Sequence, residues 1–493
     1  MTKRSVYFCA GLLGALASAA TADVLSVPSA QAAPGDVSRF AAEDVAFVAY
    51  TQPLIAFTHI RVVDGTGTAP QPDMTVIIRN GRIESIGHSA HLTVPNQATL
   101  IDGRGRTLLP GFVMMHEHMY FTSVKPGQFG EFPYSFSRLY LAGGTTTLRT
   151  AGTLSVEADL NTRNAIESGL QPGPDMDVTG PYFEQQPIPT YKVPVLKSAD
   201  QATEMVNFWA DMGVTSFKAY RHITRAELSA IVTAAHARSI KVTGHLCSIT
   251  FREAAEIGID NLEHGFLVPT DFVPGKKPDE CPQEEDTRRS LDTLDPQSVQ
   301  VTELMHLLIH KKIALTSTLS VTESTTPGRP DVSAKALALL MPELREVYER
   351  IRMHARQSAD RTGTATIIPH AARLEKRFLQ MGGTLLVGTD TPGPGGGVIP
   401  GFGARRELEV MVEEGFSFPE ALQAATLNGA RYLGRAASVG SIEVGKRADL
   451  VLIDGDPTAD IMALDRMPLV FKAGIGYDTD KIFAALRGKI GLY

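Results

Sequence analysis

A chain of 493 residues is too long for one small core and fits one large domain beside a smaller one. Hydrophobic residues at 43% and charged residues at 20% are those of an ordinary folded protein and exclude a largely disordered chain. The 47 basic and 54 acidic residues give a net charge of -7 without a long block of one sign, so no nucleic-acid footprint is present and a small molecule is the expected partner.

The first residues have the pattern of an export signal: a basic start at Thr2-Lys3-Arg4, an apolar run from Val6 to Ala20, and small-residue cleavage sites at Ala20-Thr21-Ala22 or Ala30-Gln31-Ala32. The apolar run is shorter than the ~20 residues of a spanning helix. A signal peptide over 1–32 and a periplasmic or secreted mature chain, with no membrane contact after cleavage, are therefore expected; a membrane anchor is the alternative. Cys247 and Cys281 remain in the mature chain, and two cysteines do not define a disulfide scaffold.

From Leu54 to Leu109 the text is strand-like, with IAFTHIRVVDG, MTVIIRNGRIESIG and TLIDGRGRTLLPG bounded by turn residues, and Asn80-Gly81 is a strong hairpin signal. After Pro110 short apolar strands alternate with amphipathic helices. Thr224-x-x-Glu227, Thr250-x-x-Glu253 and Ser417-x-x-Glu420 are capping boxes, and Gly258 closes the helix that Thr250 opens. Such alternation over roughly 300 residues predicts a parallel sheet, and this many units favours a closed barrel. The stretch from Thr322 to Leu374 lacks a clear strand and has two readings, an insertion near the barrel mouth or helical packing without function. After about Ala436 strand texture returns in VGSIEVGKRADLVLIDGD and PLVFKAGIGYD. The expected division is an N-terminal part of a β-sandwich at 36–109, an α/β unit in the form of a (β/α)8 TIM barrel at 110–436, and the C-terminal part of the sandwich at 437–493.

The run MMHEHMYF follows the apolar LLPGFV. Alternation in a strand projects His116 and His118 from one face and turns Glu117 away. Two imidazoles at a strand end can hold a metal ion, although an HxH alone is weak evidence. Four further polar residues close strands: Lys218 in SFKAY, His245 in VTGH, His264 in NLEH and Asp390 in LLVGTD. Singly these read as a surface lysine, core histidines and a turn former; together they fall where barrels build their chemistry. No G-x-S-x-G elbow, Cys-x-x-Cys, His-Glu-x-x-His or P-loop ending occurs, and the glycine-rich GTDTPGPGGG reads as a loop after the eighth strand.

The segments LLPGFVMMHEH, SFKAY, KVTGH, NLEHG, LLVGTD, EALQAATLNGARYLG and GSIEVGKRADLVLIDGDP resemble the amidohydrolase superfamily, in its imidazolonepropionase-like and Xaa-Pro dipeptidase-like (prolidase-like) branch. The resemblance implies a binuclear metal centre. His116, His118, Lys218 and Asp390 would take the more buried ion, and His245, His264 and Lys218 the other. Because an ammonium has no acceptor, Lys218 would carry a carbamate derived from carbon dioxide. Two divalent ions are implied, zinc first, with manganese, cobalt or nickel also suited to the donors. A metal-bridging hydroxide would attack the substrate, with Asp390 as catalytic proton shuttle. One departure stands out: the family usually has aspartate two residues before the first histidine, where this chain has Met114, which puts a supporting hydrogen bond in doubt.

The implied function is hydrolysis of a C–N bond in an N-acyl amino acid or dipeptide, as an amidohydrolase acting on bonds other than peptide bonds or as a prolidase-like dipeptidase. The alternatives are a lactonase, a cyclic amidase or a deaminase on the same centre, or a non-catalytic binding protein. Tyr220 and His222, on the loop after the fourth strand, and Arg149, ending GTTTLRT, are candidate substrate contacts; loop packing for the first two and a structural ion pair for Arg149 are the alternatives. Relatives are commonly homo-oligomers, but no interface is legible.

Overall fold

The computed structural model describes residues 36–125, 127–188, 192–357 and 364–492. The expected signal peptide at 1–32 lies outside them. Among the described residues no helix is long and apolar enough to cross a membrane.

Both ends of the chain meet in one nine-stranded sheet. The strand Arg106–Pro110, at the end of the N-terminal segment, pairs antiparallel with Leu450–Asp454 from the C-terminal one. Alternation along Leu450–Asp454 sends its side chains to two cores: Leu450 and Leu452 join Ile55, Phe57, Val76 and Phe471 inside the sandwich, while Val451 and Ile453 join the barrel's apolar cluster. The hairpin of Gln71–Arg79 and Arg82–His88 turns at Asn80-Gly81, both with positive φ (48° and 75°), the geometry this dipeptide favours. Lys472 and Arg447 of the sandwich hold Asp175 at the third barrel strand, which fixes one unit on the other.

Eight parallel strands follow in barrel order: Phe112–Glu117, Thr145–Thr150, a third in two pieces (Asp175–Asp177 and Thr179–Phe183), Ser216–Ala219, Lys241–Gly244, Asn261–Glu263, Ala314–Ser317 and Leu385–Val387. Their backbone ladders form two arcs, strands one to the first piece of three, and the second piece of three to eight. At the seam within strand three, the Thr179 N–H donates to the Thr150 hydroxyl instead of a carbonyl. At the seam between strands eight and one, the N–H groups of Thr389 and Asp390 both donate to the His116 carbonyl (3.0 and 2.9 Å).

The three capping boxes form, and Gly258 closes its helix at φ 103°. Between 322 and 374 the described elements are helical: the end of a 3-10 turn at Leu319–Thr325, Ala334–Leu337, Pro342–Gln357 and the first part of Thr364–Gln380. Pro342–Gln357 carries a buried Arg352 that binds the carbonyls of Glu323, Ser324 and Arg329, while Thr364–Gln380 is the barrel helix before strand eight. Cys247 and Cys281 form a disulfide that joins the loop after strand five to the segment after strand six.

Candidate metal centre

The first strand carries a register shift between Met114 and Glu117, and its end places His116 and His118 inside the barrel mouth. Their rings are nearly perpendicular, with centroids 5.3 Å apart. Asp390 reaches both: its Oδ1 lies 3.2 Å from His116 Nε2 and 3.2 Å from His118 Nε2. Only glycine fits beside them in strand eight, since a Cβ on Gly388 would come within 2.2 Å of the His116 Cβ. Asp390 itself holds φ 53°, and His264 φ 65°. Side chains other than glycine, asparagine or aspartate seldom adopt this region, and such backbone costs of order 1 kcal/mol that the surroundings must supply.

The hydrogen bonds behind the two imidazoles fix what they offer in front. His118 Nδ1 is 2.9 Å from the Gly152 carbonyl, which can only accept, so the proton sits on Nδ1 and Nε2 presents a lone pair. His116 Nδ1 is 2.7 Å from Glu263 Oε2, with the same consequence. When both rings are neutral, two nitrogen lone pairs converge on one carboxylate oxygen. Three acceptors pointed at one another repel unless a cation lies between them, and the ligand atoms of His116, His118 and Asp390 fall within 4.8 Å of one another. The donor set, two neutral imidazoles and a carboxylate, fits a divalent ion such as zinc.

The electrostatics divide the histidines from one another. Burial pushes the Asp390 carboxyl up, but His116, His118 and His264 outweigh it and hold the group well below the usual carboxylate range. Burial pushes His118 down and brings His264 to about 3, which leaves both rings neutral. His116 differs: burial and Lys218 lower it, yet Glu263 and Asp390 prevail and raise it.

The other expected residues surround this group. His264 Nδ1 is 3.8 Å from Asp390 Oδ2 and 2.9 Å from the Thr318 hydroxyl. The His245 ring lies 4.3 Å from that of His264. Lys218 is among the most completely buried large side chains, and burial lowers its amine to about 8 against the pull of Glu263 and Asp390. Tyr220 packs edge-on to His245 at 5.1 Å. His222, partly exposed, sits with Nδ1 3.3 Å from Glu184, which also accepts the backbone N–H groups of Arg221 and His222.

Arg149 is the correction among the substrate candidates. Its side chain is 1% exposed and lies within the barrel, bonded to Glu263 (2.6 Å), Asn261 (2.9 Å) and the Met115 carbonyl (2.8 Å). A substrate carboxylate cannot reach it, and the structural ion pair is its role. Glu263 was missed by pattern reading because alternation assigns residues 263 and 264 to opposite faces; the left-handed turn at His264 brings both inward. Glu117 does turn away from the imidazoles, but into a buried contact where it accepts from the Thr389 N–H (3.1 Å) and hydroxyl (2.6 Å). Met114 offers His116 no hydrogen bond, and Glu263 provides a carboxylate partner for its Nδ1.

Residues 107–475 match the profile of the amidohydrolase family. An imidazolonepropionase of Clostridium tetani is 34% identical over 103 residues, 20% of this chain and 24% of that protein, so the match spans about a quarter of that relative. A Xaa-Pro dipeptidase with bound methionine shares the fold at TM-score 0.64 and 20% identity, covering 86% of this chain and all of that one (100%). The bottromycin amidohydrolase does so at TM-score 0.64 and 18% identity, covering 88% and 91%.

Proposed function

This chain belongs to the amidohydrolase family, and from that premise we propose that it is a metal-dependent hydrolase that cleaves the C–N bond of a small N-acyl amino acid or dipeptide. The observation that carries the reading is the convergence of His116, His118 and Asp390, whose ligand atoms lie within 4.8 Å of one another at the barrel mouth.

His116, His118 and Asp390 would hold one ion, with Lys218, as a carbamate, shared with a second held by His245 and His264. Bound divalent ions would acidify water and polarise the scissile carbonyl. The residues of the chain do the rest. Asp390, whose side chain is 26% exposed, is anchored by imidazoles on one oxygen and open to the mouth, as a group that accepts a proton from water and returns it to a leaving nitrogen must be. An amide nitrogen leaves poorly until protonated, so this transfer is required. Glu263 and Gly152 keep the histidine protons on Nδ1, and the desolvated Lys218 amine, brought to about 8, has a neutral fraction able to take up carbon dioxide. His222, backed by Glu184, supplies a donor for a substrate carboxylate, with Tyr220 beside it.

The test is metal analysis of the purified protein with a screen of N-acyl amino acids, dipeptides, lactones and cyclic amides. Amide hydrolysis with stoichiometric divalent metal, lost in Lys218→Ala and Asp390→Ala, is the expected result. Turnover of lactones or cyclic amides alone would replace the amide reading, and full activity without metal would end it. We also propose that the chain is exported; a Cys247–Cys281 disulfide suits an oxidising compartment, and fractionation with N-terminal sequencing of the mature protein tests this.

A further inference from the structure

Building on the proposed hydrolase, we infer that its substrate carries an aromatic ring beside the scissile amide, received by an arc of aromatic side chains along one side of the mouth. The arc begins at Phe129, which meets Tyr120 edge-on at 5.4 Å. Tyr120 stacks on the His118 ring at 4.6 Å, and its hydroxyl is 2.7 Å from that of Tyr182. Tyr182 meets Tyr220 at 5.0 Å with the planes 62° apart, and Tyr220 meets His245 at 5.1 Å and 67°. Rings from the ends of strands one, three, four and five thus form a continuous wall that touches two of the proposed ligands.

Two features separate this wall from ordinary core packing. Phe129, Tyr120, Tyr220 and His245 are only half-buried, so ring surface remains open where the barrel faces its ligand. The Tyr120 and Tyr182 hydroxyls are engaged with each other, which leaves ring faces and edges as the main surface on offer and one O–H of the pair to donate. Three ring pairs meet edge-on and one is stacked, so ring faces and edges are both present for another flat ring to meet with offset or edge-to-face contacts beyond its area of burial. A saturated ring of equal size gains the burial and loses those contacts. Polar partners flank the wall, His222 with Glu184 two residues beyond Tyr220 and Asp390 beside His118.

Shape-matched probes test the inference. Calorimetric binding of 3-phenylpropanoate and 3-cyclohexylpropanoate to the metal-loaded mature protein should favour the phenyl compound roughly five- to tenfold. Tyr182→Phe should keep that preference, whereas Tyr182→Leu and Tyr220→Leu should erase it. Equal binding of the pair by the wild type, or a preference that survives in folded leucine variants, overturns the inference, and the wild-type comparison decides even where a leucine variant does not fold. Hydrolysis of N-acetylphenylalanine against N-acetylcyclohexylalanine, and of N-benzoylglycine against its cyclohexanecarbonyl counterpart, reports whether the ring belongs to the amine or the acyl side. Amide hydrolysis without preference in either pair also overturns the aromatic claim while leaving the hydrolase reading intact. Absence of all amide hydrolysis overturns that reading, and the binding pair still judges the wall.

Discussion

Arg149 and Glu263 form a buried ion pair, Nη2 to Oε1 at 2.6 Å, and the second oxygen of the same carboxylate holds His116 Nδ1 at 2.7 Å. A carboxylate with no exposed surface, fixed by a guanidinium on one side, aims an imidazole on the other. Arg149→Leu should therefore cost about 3–5 kcal/mol of stability, the penalty for a buried charge left unpaired. It should also weaken metal retention by about 10–100-fold, as loss of an outer hydrogen-bonding partner does. Thermal unfolding and competition with a chelator measure the two effects separately, and wild-type retention in a folded variant would remove Arg149 from the support of the centre.

Met114 stands where the resemblance leads one to expect aspartate, yet introducing a carboxylate there should do harm. Met114 is fully buried in the main apolar cluster, and His116 Nδ1 is already engaged by Glu263. Met114→Asp should lower stability by about 2–5 kcal/mol without tightening metal binding. Tighter binding, read by the same chelator competition, would show that Glu263 is an incomplete substitute.

Glu375, packed behind the Gly265–Phe266 turn, predicts a pH dependence of stability. Burial, with Glu407 nearby, pushes its carboxyl from 4.5 to about 8 in the folded protein, although Ser317 and the Phe266 N–H act in the other direction. An acid whose folded value is raised is fully accommodated below its unfolded value, so its stability contribution is present below about pH 4.5 and is lost as pH rises towards 8. The slope from this one group approaches about 1.4 kcal/mol per pH unit. Glu375→Gln should flatten the fall in melting temperature between pH 5 and 8, and an unchanged slope would place the titration elsewhere.

His222 is held from behind by Glu184 and is partly exposed in front. If it receives a substrate carboxylate, His222→Asn should raise KM about tenfold with little change in kcat, since the contact is made equally in ground and transition states. Esterifying the substrate carboxylate should raise KM for the wild type and leave the variant unaffected. A fall in kcat alone would assign His222 to the chemical step.

The disulfide joins cysteines 34 positions apart, its loop contains His264, and Cys247 lies two residues after His245. Replacing it by serines should cost about 2–5 kcal/mol, measured by denaturant unfolding of oxidised, reduced and Cys281→Ser protein. Equal midpoints would make the bond dispensable.

The centre was largely legible because two periodicities carry it. Alternation in a strand put His116 and His118 on one face, and the polarity of barrel strands put Lys218, His245, His264 and Asp390 at one end. Illegible features were those that depend on a broken period or on distant neighbours. The left-handed turn at His264 hid Glu263, and the pairing of Arg149 with residues more than a hundred positions away turned a substrate candidate into internal support. The break of strand three at Val178 and the Cys247–Cys281 bond left no sequence periodicity to read.

The carbonyl that bridges strands eight and one belongs to His116, and one of the two amides it accepts belongs to Asp390. The barrel strands eight and one are thus joined by the main chain of the same residues whose side chains would gather the proposed cation. Filling the site and latching the cylinder become one thermodynamic event, so ion addition should slow solvent exchange of the Thr389 and Asp390 amide hydrogens far more than that of amides in the distant sandwich.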